Sequence, residues 1–116
     1  MIRTFVEVPS FTKRWSDLGF DDDDLMERQK MLLKNPEAGD IMQGTGGLRK
    51  VRFAFEGRGK SGSVRVCYVD FEEYTVIYLI TAYAKKEKDN LTDKEKAVLK
   101  VLVKQLKEEA AERRKG

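Results

Sequence analysis

The sequence contains no histidine, a single cysteine and only two prolines. Without imidazole, a histidine general base, a Ser-His-Asp triad and histidine-ligated metal sites are excluded. Cys67 cannot close an intramolecular disulfide or build a cysteine-rich zinc site, and nothing points to an oxidising compartment. No apolar run approaches the roughly 18 residues of a membrane span, and the N-terminus has no signal-peptide pattern. The expectation is a cytoplasmic chain with no membrane partner. Its chemistry must use lysine, arginine, carboxylates, hydroxyls or the backbone. One Trp, four Tyr and six Phe, within 41% hydrophobic residues, supply one modest core beneath a surface rich in charge. At 116 residues, one domain spanning 1–116 is expected.

The net charge of +3 says little, but its distribution says more. Residues 43–69 carry Arg49, Lys50, Arg52, Arg58, Lys60 and Arg65 against Glu56 alone, whereas residues 1–42 are net acidic. Concentrated positive charge of this kind suits a phosphate backbone; it also suits a solvated face. Composition leaves both open.

Along the chain, Ile2–Val8 is rich in β-formers and reads as a strand stopped by Pro9. Ser10 is then a helix N-cap, with Phe11, Trp15 and Leu18 along one face and Gly19 as the stop. The run Asp21–Asp24 fits the positive end of a second helix reaching about Lys34. Its spacing lacks the alternating ligands, glycine and distal glutamate of a calcium loop. Gln43-Gly44-Thr45-Gly46-Gly47 is a glycine-rich turn that matches neither a Walker A motif nor a dinucleotide fingerprint.

The strand that follows, Leu48–Glu56, alternates with period two. Val51, Phe53 and Phe55 share one face, and Lys50 and Arg52 share the other. The fold can therefore bury the first set and present two cations side by side on the opposite surface. Residues 57–62 read as a basic hairpin loop, Ser63–Phe71 as a second strand of a meander, and Tyr74–Tyr83 as a central third strand apolar on both faces. Thr92-Asp93-Lys94-Glu95 is a capping box opening a last helix. Its buried stripe is expected at Val98, Leu102 and Leu106, and a charged tail over 108–116 is expected to fray. The order β-α-α-β-β-β-α predicts an α+β fold with an antiparallel sheet packed by helices. Trp15 and Cys67 are expected in the core.

That order, with Gly44-Thr45-Gly46-Gly47-Leu48-Arg49-Lys50-Val51-Arg52, Ser63-Val64-Arg65 and the stretch Tyr78–Glu87, resembles the RelE/HigB family of bacterial type II toxin–antitoxin toxins. The nearest likeness is to the HigB-type branch with a Gly-Thr-Gly-Gly-Leu-Arg-Lys run, and it extends from about Ile2 to Lys107. The resemblance implies a RelE-like fold and a ribosome-dependent endoribonuclease that cuts mRNA in the ribosomal A site without metal or cofactor. It implies a cognate antitoxin resembling a helix-turn-helix DNA-binding protein, through which the pair would reach its operator DNA. By that resemblance Lys50, Arg52, Arg65 and Lys86 are the catalytic set. Arg49, Arg58, Lys60, Tyr83 and Lys85 are RNA contacts. The family's aromatic near the last helix has no counterpart, since Leu91-Thr92 stands there, and Tyr83 is the nearest aromatic.

Attack by a 2′-hydroxyl on the adjacent phosphate needs in-line alignment, charge stabilisation on the phosphorane, and proton transfer at both ends. Arg52 and Arg65 suit charge stabilisation, because a guanidinium forks two donors onto phosphate oxygens. Lys50 suits the base, since neighbouring cations favour a neutral amine, and Lys86 suits the leaving oxygen. Arg58 and Lys60 would position backbone phosphates. The bland alternatives are that Arg65 bridges strands or pairs with Glu56 or Asp70, and that Lys85 and Lys86 are a solvated strand end. Two other functional readings stand beside cleavage: a ParE-like toxin that binds DNA gyrase, and a non-catalytic relic that binds RNA or antitoxin. Strand cations favour cleavage, since a protein-binding surface more often shows exposed apolar anchors.

Overall fold

Strand β1 (Thr4–Glu7) leads through Val8 directly into helix α1 (Pro9–Asp17). Pro9 takes the first helical turn, where its missing N–H is no loss, so Val8 rather than Ser10 is the N-cap. The Ser10 hydroxyl instead donates to the Ile80 carbonyl at 2.8 Å. Helix α2 (Asp22–Lys34) starts on a reciprocal box: Asp21 accepts from the Asp24 N–H at 2.9 Å, and Asp24 accepts from the Asp21 N–H at 3.0 Å. The acidic run therefore starts a helix, as its position suggested. The structure, a computed structural model, describes residues 2–55, 63–88 and 90–115.

A two-residue strand β2 (Asp40–Ile41) precedes the glycine turn, then come β3 (Arg49–Ala54), β4 (Ser63–Phe71) and β5 (Val76–Ala84). Helix α3 (Asp93–Lys115) closes the chain. The five strands lie in the order β1-β5-β4-β3-β2. From β2 to β5 the pairing is antiparallel, as the meander predicts, whereas β1 joins β5 in parallel. A parallel neighbour needs a long crossover, and α1, α2 and the meander together supply it.

The sheet is covered on both faces. Phe11 and Trp15 of α1 and Leu25 and Leu32 of α2 pack with Val51, Phe53, Val64, Val66, Tyr68, Ile77 and Leu79. On the opposite face Val103, Leu106 and Ala110 of α3 pack with Cys67, Val69, Phe71, Tyr78 and Ile80. A bulge at Ile80 separates the pairs Tyr68–Leu79 and Cys67–Thr81, and brings Ile80 and Thr81 to the same side in succession.

One expectation for α3 is corrected. Its buried line is Val103, Leu106 and Ala110 with Leu99 and Leu102 flanking, while Val98 is 64% exposed. Leu91, just before the helix, is buried in the same cluster. Over the described residues of 108–116 the chain continues α3 to Lys115, Ala110 is buried, and the Tyr78 hydroxyl donates to Glu109 at 2.7 Å. No helix among the described residues is long and apolar enough to cross a membrane.

Candidate functional site

The aim of β3 is set by the turn before it. Gly44, Gly46 and Gly47 all have positive φ, which side-chain-bearing residues rarely adopt. Inside the turn the buried Thr45 hydroxyl donates to the Met42 carbonyl at 2.6 Å and accepts from the Leu48 N–H at 3.1 Å. Gly39 lets β2 approach closely, because a Cβ there would sit 2.9 Å from the Tyr68 ring. The glycine run thus stitches a turn.

From that turn, alternation along β3 sends Val51 and Phe53 into the core beneath α1 and α2, and Lys50 and Arg52 to the other face. The register then gathers the predicted cations. Arg52 lies opposite Arg65, which lies opposite Tyr83; Lys50 lies opposite Cys67, which lies opposite Thr81. Helix α3 covers only the half of this face holding Val69, Phe71 and Tyr78, so Arg52 remains exposed, and Lys50 and Arg65 half-buried. The Arg65 guanidinium donates to Ser63 Oγ at 2.8 Å. It does not pair with Asp70, which belongs to Arg3 (Nε to Oδ1 2.7 Å).

The β5–α3 connection borders this surface. The Lys85 N–H donates to the Ser63 carbonyl at 3.1 Å, placing the exposed Lys85 and Lys86 beside the start of β4. Arg14 of α1 donates to the Ala82 carbonyl and pairs with Glu87, whose carboxylate also accepts from the Ala84 N–H. That backbone N–H is the main cause holding the Glu87 carboxyl below the usual range, with Arg14 adding to it. These ties satisfy the edge of β5 beyond the end of β1, where no strand among the described residues covers it.

Further along, Lys88 pairs with Glu95 and sits 5.4 Å from the centre of the Tyr83 ring. Glu95 and Thr92 form the expected reciprocal capping box, at 2.9 and 3.1 Å. The Lys88 hydrogen bond, then the Thr92 N–H, hold the Glu95 carboxyl below its ordinary range. The Lys50 ammonium donates to Asn90 Oδ1 at 2.9 Å. Beneath Lys50 the Cys67 thiol is fully buried, and that burial pushes its pKa up to about 12, leaving a small neutral hydrophobe.

Other predicted residues stand differently. Arg49 belongs by alternation to the opposite side of β3, where its guanidinium donates to the Gly39 carbonyl at 2.7 Å. Tyr83 is 2% exposed, so its ring is packed under Lys88 and is not displayed to a base. Arg58 and Lys60 lie outside the described residues. Sequence reasoning missed Arg14, Lys88 and Asn90. Only Lys88 had a readable signal, since it precedes the capping glutamate by seven residues and lies in the loop that must fold back toward the sheet.

A family model described as the RelE toxin of the RelE/RelB toxin–antitoxin system matches residues 8–114. The chain belongs to the RelE toxin family. Among solved structures, a double arginine-to-alanine mutant of the E. coli toxin RelE in the free state superimposes with a TM-score of 0.55. It has 17% sequence identity and covers 77% of this chain and 90% of its own. The intact E. coli RelBE toxin–antitoxin complex matches with a TM-score of 0.52 and 17% identity, over 72% of this chain and 96% of that one. These likenesses show that this RelE-family toxin has the RelE fold. The α+β expectation and the recognised family both hold.

Proposed function

We propose that this RelE-family toxin cleaves mRNA in the ribosomal A site, by attack of a 2′-hydroxyl on the adjacent phosphate, and so inhibits translation. The observation that carries the reading is the juxtaposition of Lys50, Arg52 and Arg65 on neighbouring strands. Two arginines in direct cross-strand register repel one another, and a polyanion relieves that repulsion. Arg52 and Arg65 hold the phosphorane oxygens through forked donors. Lys50 takes the 2′-hydroxyl proton, and Lys86, in the turn beside Ser63, stabilises the leaving 5′-oxygen. Lys85 contacts the backbone beside it. Tyr83, the register partner of Arg65 on β5, flanks the site. The mechanism needs no metal.

The partners follow from the same reading. A cognate antitoxin, as RelB is for the E. coli toxin in its complex, neutralises the cationic face and, if of helix-turn-helix type, carries the pair to operator DNA.

The test is primer extension on a message programmed into translating ribosomes, with wild-type and Arg65→Ala protein. A discrete A-site cut lost in the variant supports the reading. Intact message with wild-type protein overturns it, and a cut surviving in Arg65→Ala removes Arg65 from the centre.

A further inference from the structure

We infer that Asn90 is a positioning residue for the Lys50 ammonium, an inference that rests on the cleavage reading above. Its Oδ1 lies 2.9 Å from Lys50 Nζ. Since lysine only donates, the contact fixes the amide oxygen toward it.

The chemistry of the acceptor matters. On the strands beside Lys50, the same face offers Arg52, Arg65, Cys67, Thr81 and Tyr83, and one carboxylate, Asp40 opposite it on β2, yet the Lys50 hydrogen bond goes to Asn90. The Cys67 thiol is neutral and a weak acceptor. A carboxylate at position 90 would hold the side chain but also favour its charged form, which cannot take a proton, and compete with phosphate. An amide oxygen takes one N–H and fixes the direction of the long flexible stem without adding a charge, so the neutral amine can aim its lone pair at the 2′-hydroxyl.

Asn90, itself exposed, has anchored residues on either side. Lys88, two residues before it, is pinned by Glu95, and Glu95 is pinned by the Thr92 N–H. Leu91, the next residue, is buried against α3. The start of α3 thus sets the loop, the loop sets Asn90, and Asn90 sets Lys50. Neither Asn90 nor this relay touches the reacting atoms.

The experiment measures single-turnover cleavage on programmed ribosomes with wild type, Asn90→Ala, Lys50→Met and the double variant, together with ribosome affinity. Asn90→Ala is expected to lower the rate at saturation about tenfold, the scale of one hydrogen bond to a charged group, with affinity unchanged. In the Lys50→Met background the same change is expected to do nothing, since its target is gone. Equal effects in both backgrounds, or a wild-type rate for Asn90→Ala, overturn the inference. Asn90→Asp is expected to weaken ribosome affinity while Asn90→Ala does not; the reverse order overturns it as well. If wild-type protein cuts nothing, the cleavage reading fails by itself, and the tie is decided by NMR of the free protein. Movement of the Asn90 side-chain amide signals in Lys50→Met supports the positioning contact, and unmoved signals overturn it.

Discussion

Arg52 and Arg65 are cross-strand partners, two permanently charged side chains set opposite each other at the open end of a sheet. Such a pair works against the fold, by about 0.2–1 kcal/mol for like charges directly opposed. In the proposed reading that cost is borne for an anionic ligand rather than for stability. Replacing Arg52 by Thr is therefore expected to raise the thermal midpoint slightly while abolishing message cleavage. Calorimetry and primer extension on the same preparation check this, and a lowered midpoint would contradict the repulsion argument.

Lys50 carries the proton-transfer role in the proposed reaction. Lys50→Arg keeps the charge but cannot accept a proton, because arginine stays protonated throughout the accessible range. Loss of general-base catalysis predicts a fall of about 100-fold or more in single-turnover cleavage, with ribosome binding retained. An unchanged rate would leave Lys50 as an electrostatic contact only.

Arg3 and Asp70 form a forked ion pair whose side chains are 7% and 9% exposed. Removing one partner strands a buried charge. Asp70→Ala is expected to cost about 3 kcal/mol in urea unfolding. The double replacement Arg3→Met with Asp70→Leu should recover most of it, since no charge is then left unpaired. Equal losses in the single and double variants would show that packing, not charge, is at stake.

Two buried acids predict an alkaline limit. Burial pushes the Cys67 thiol up to about 12. Burial, followed by the Glu109 hydrogen bond, pushes the Tyr78 hydroxyl up to about 12. Each folded pKa exceeds the ordinary value, so the unfolded chain loses its proton first. Their contribution is complete below about pH 9 and is lost as the pH rises toward 12. Unfolding midpoints should be level to that point and then fall, less steeply for Cys67→Ala and Tyr78→Phe. The same burial predicts that thiol reagents at pH 8 label Cys67 only at the rate of unfolding.

A chain ended after Lys107 tests how the last turns of α3 are held. It loses the seat of Ala110 and the partner of the Tyr78 hydroxyl. A loss of about 1–2 kcal/mol is expected from the hydrogen bond and the apolar contact together. Unchanged stability would mean that these turns are decoration.

The contrast between what could be read in advance and what could not has local causes. Alternation in β3 was readable because Val51 and Phe53 stand against Lys50 and Arg52 with no ambiguity, and the cation face follows from it. The α3 stripe was not, because Val98, Leu99, Val101, Leu102 and Val103 are almost continuous, and more than one helical line through them is apolar. Which line is buried is set by how α3 sits against β4 and β5, which no spacing within the helix shows. The tail looked frayed because nearly all its residues are charged; its seat comes from one alanine and one carboxylate. Tyr83, expected as an RNA contact, is buried, and its cover Lys88 reaches it from a loop that strand spacing does not show. Asn90 and Arg14 act across 40 and 68 residues of sequence, and no spacing rule reaches that far.

Thr45 carries one more consequence. Its hydroxyl, sealed between Met42 and Leu48, is what makes the Gly44–Gly47 run a rigid corner. This glycine run thus serves as a mounting bracket for β3. Proteins that keep that bracket can differ in everything fixed to it, so kinship of shape and loss of toxicity can coexist in sequences that look alike at that point.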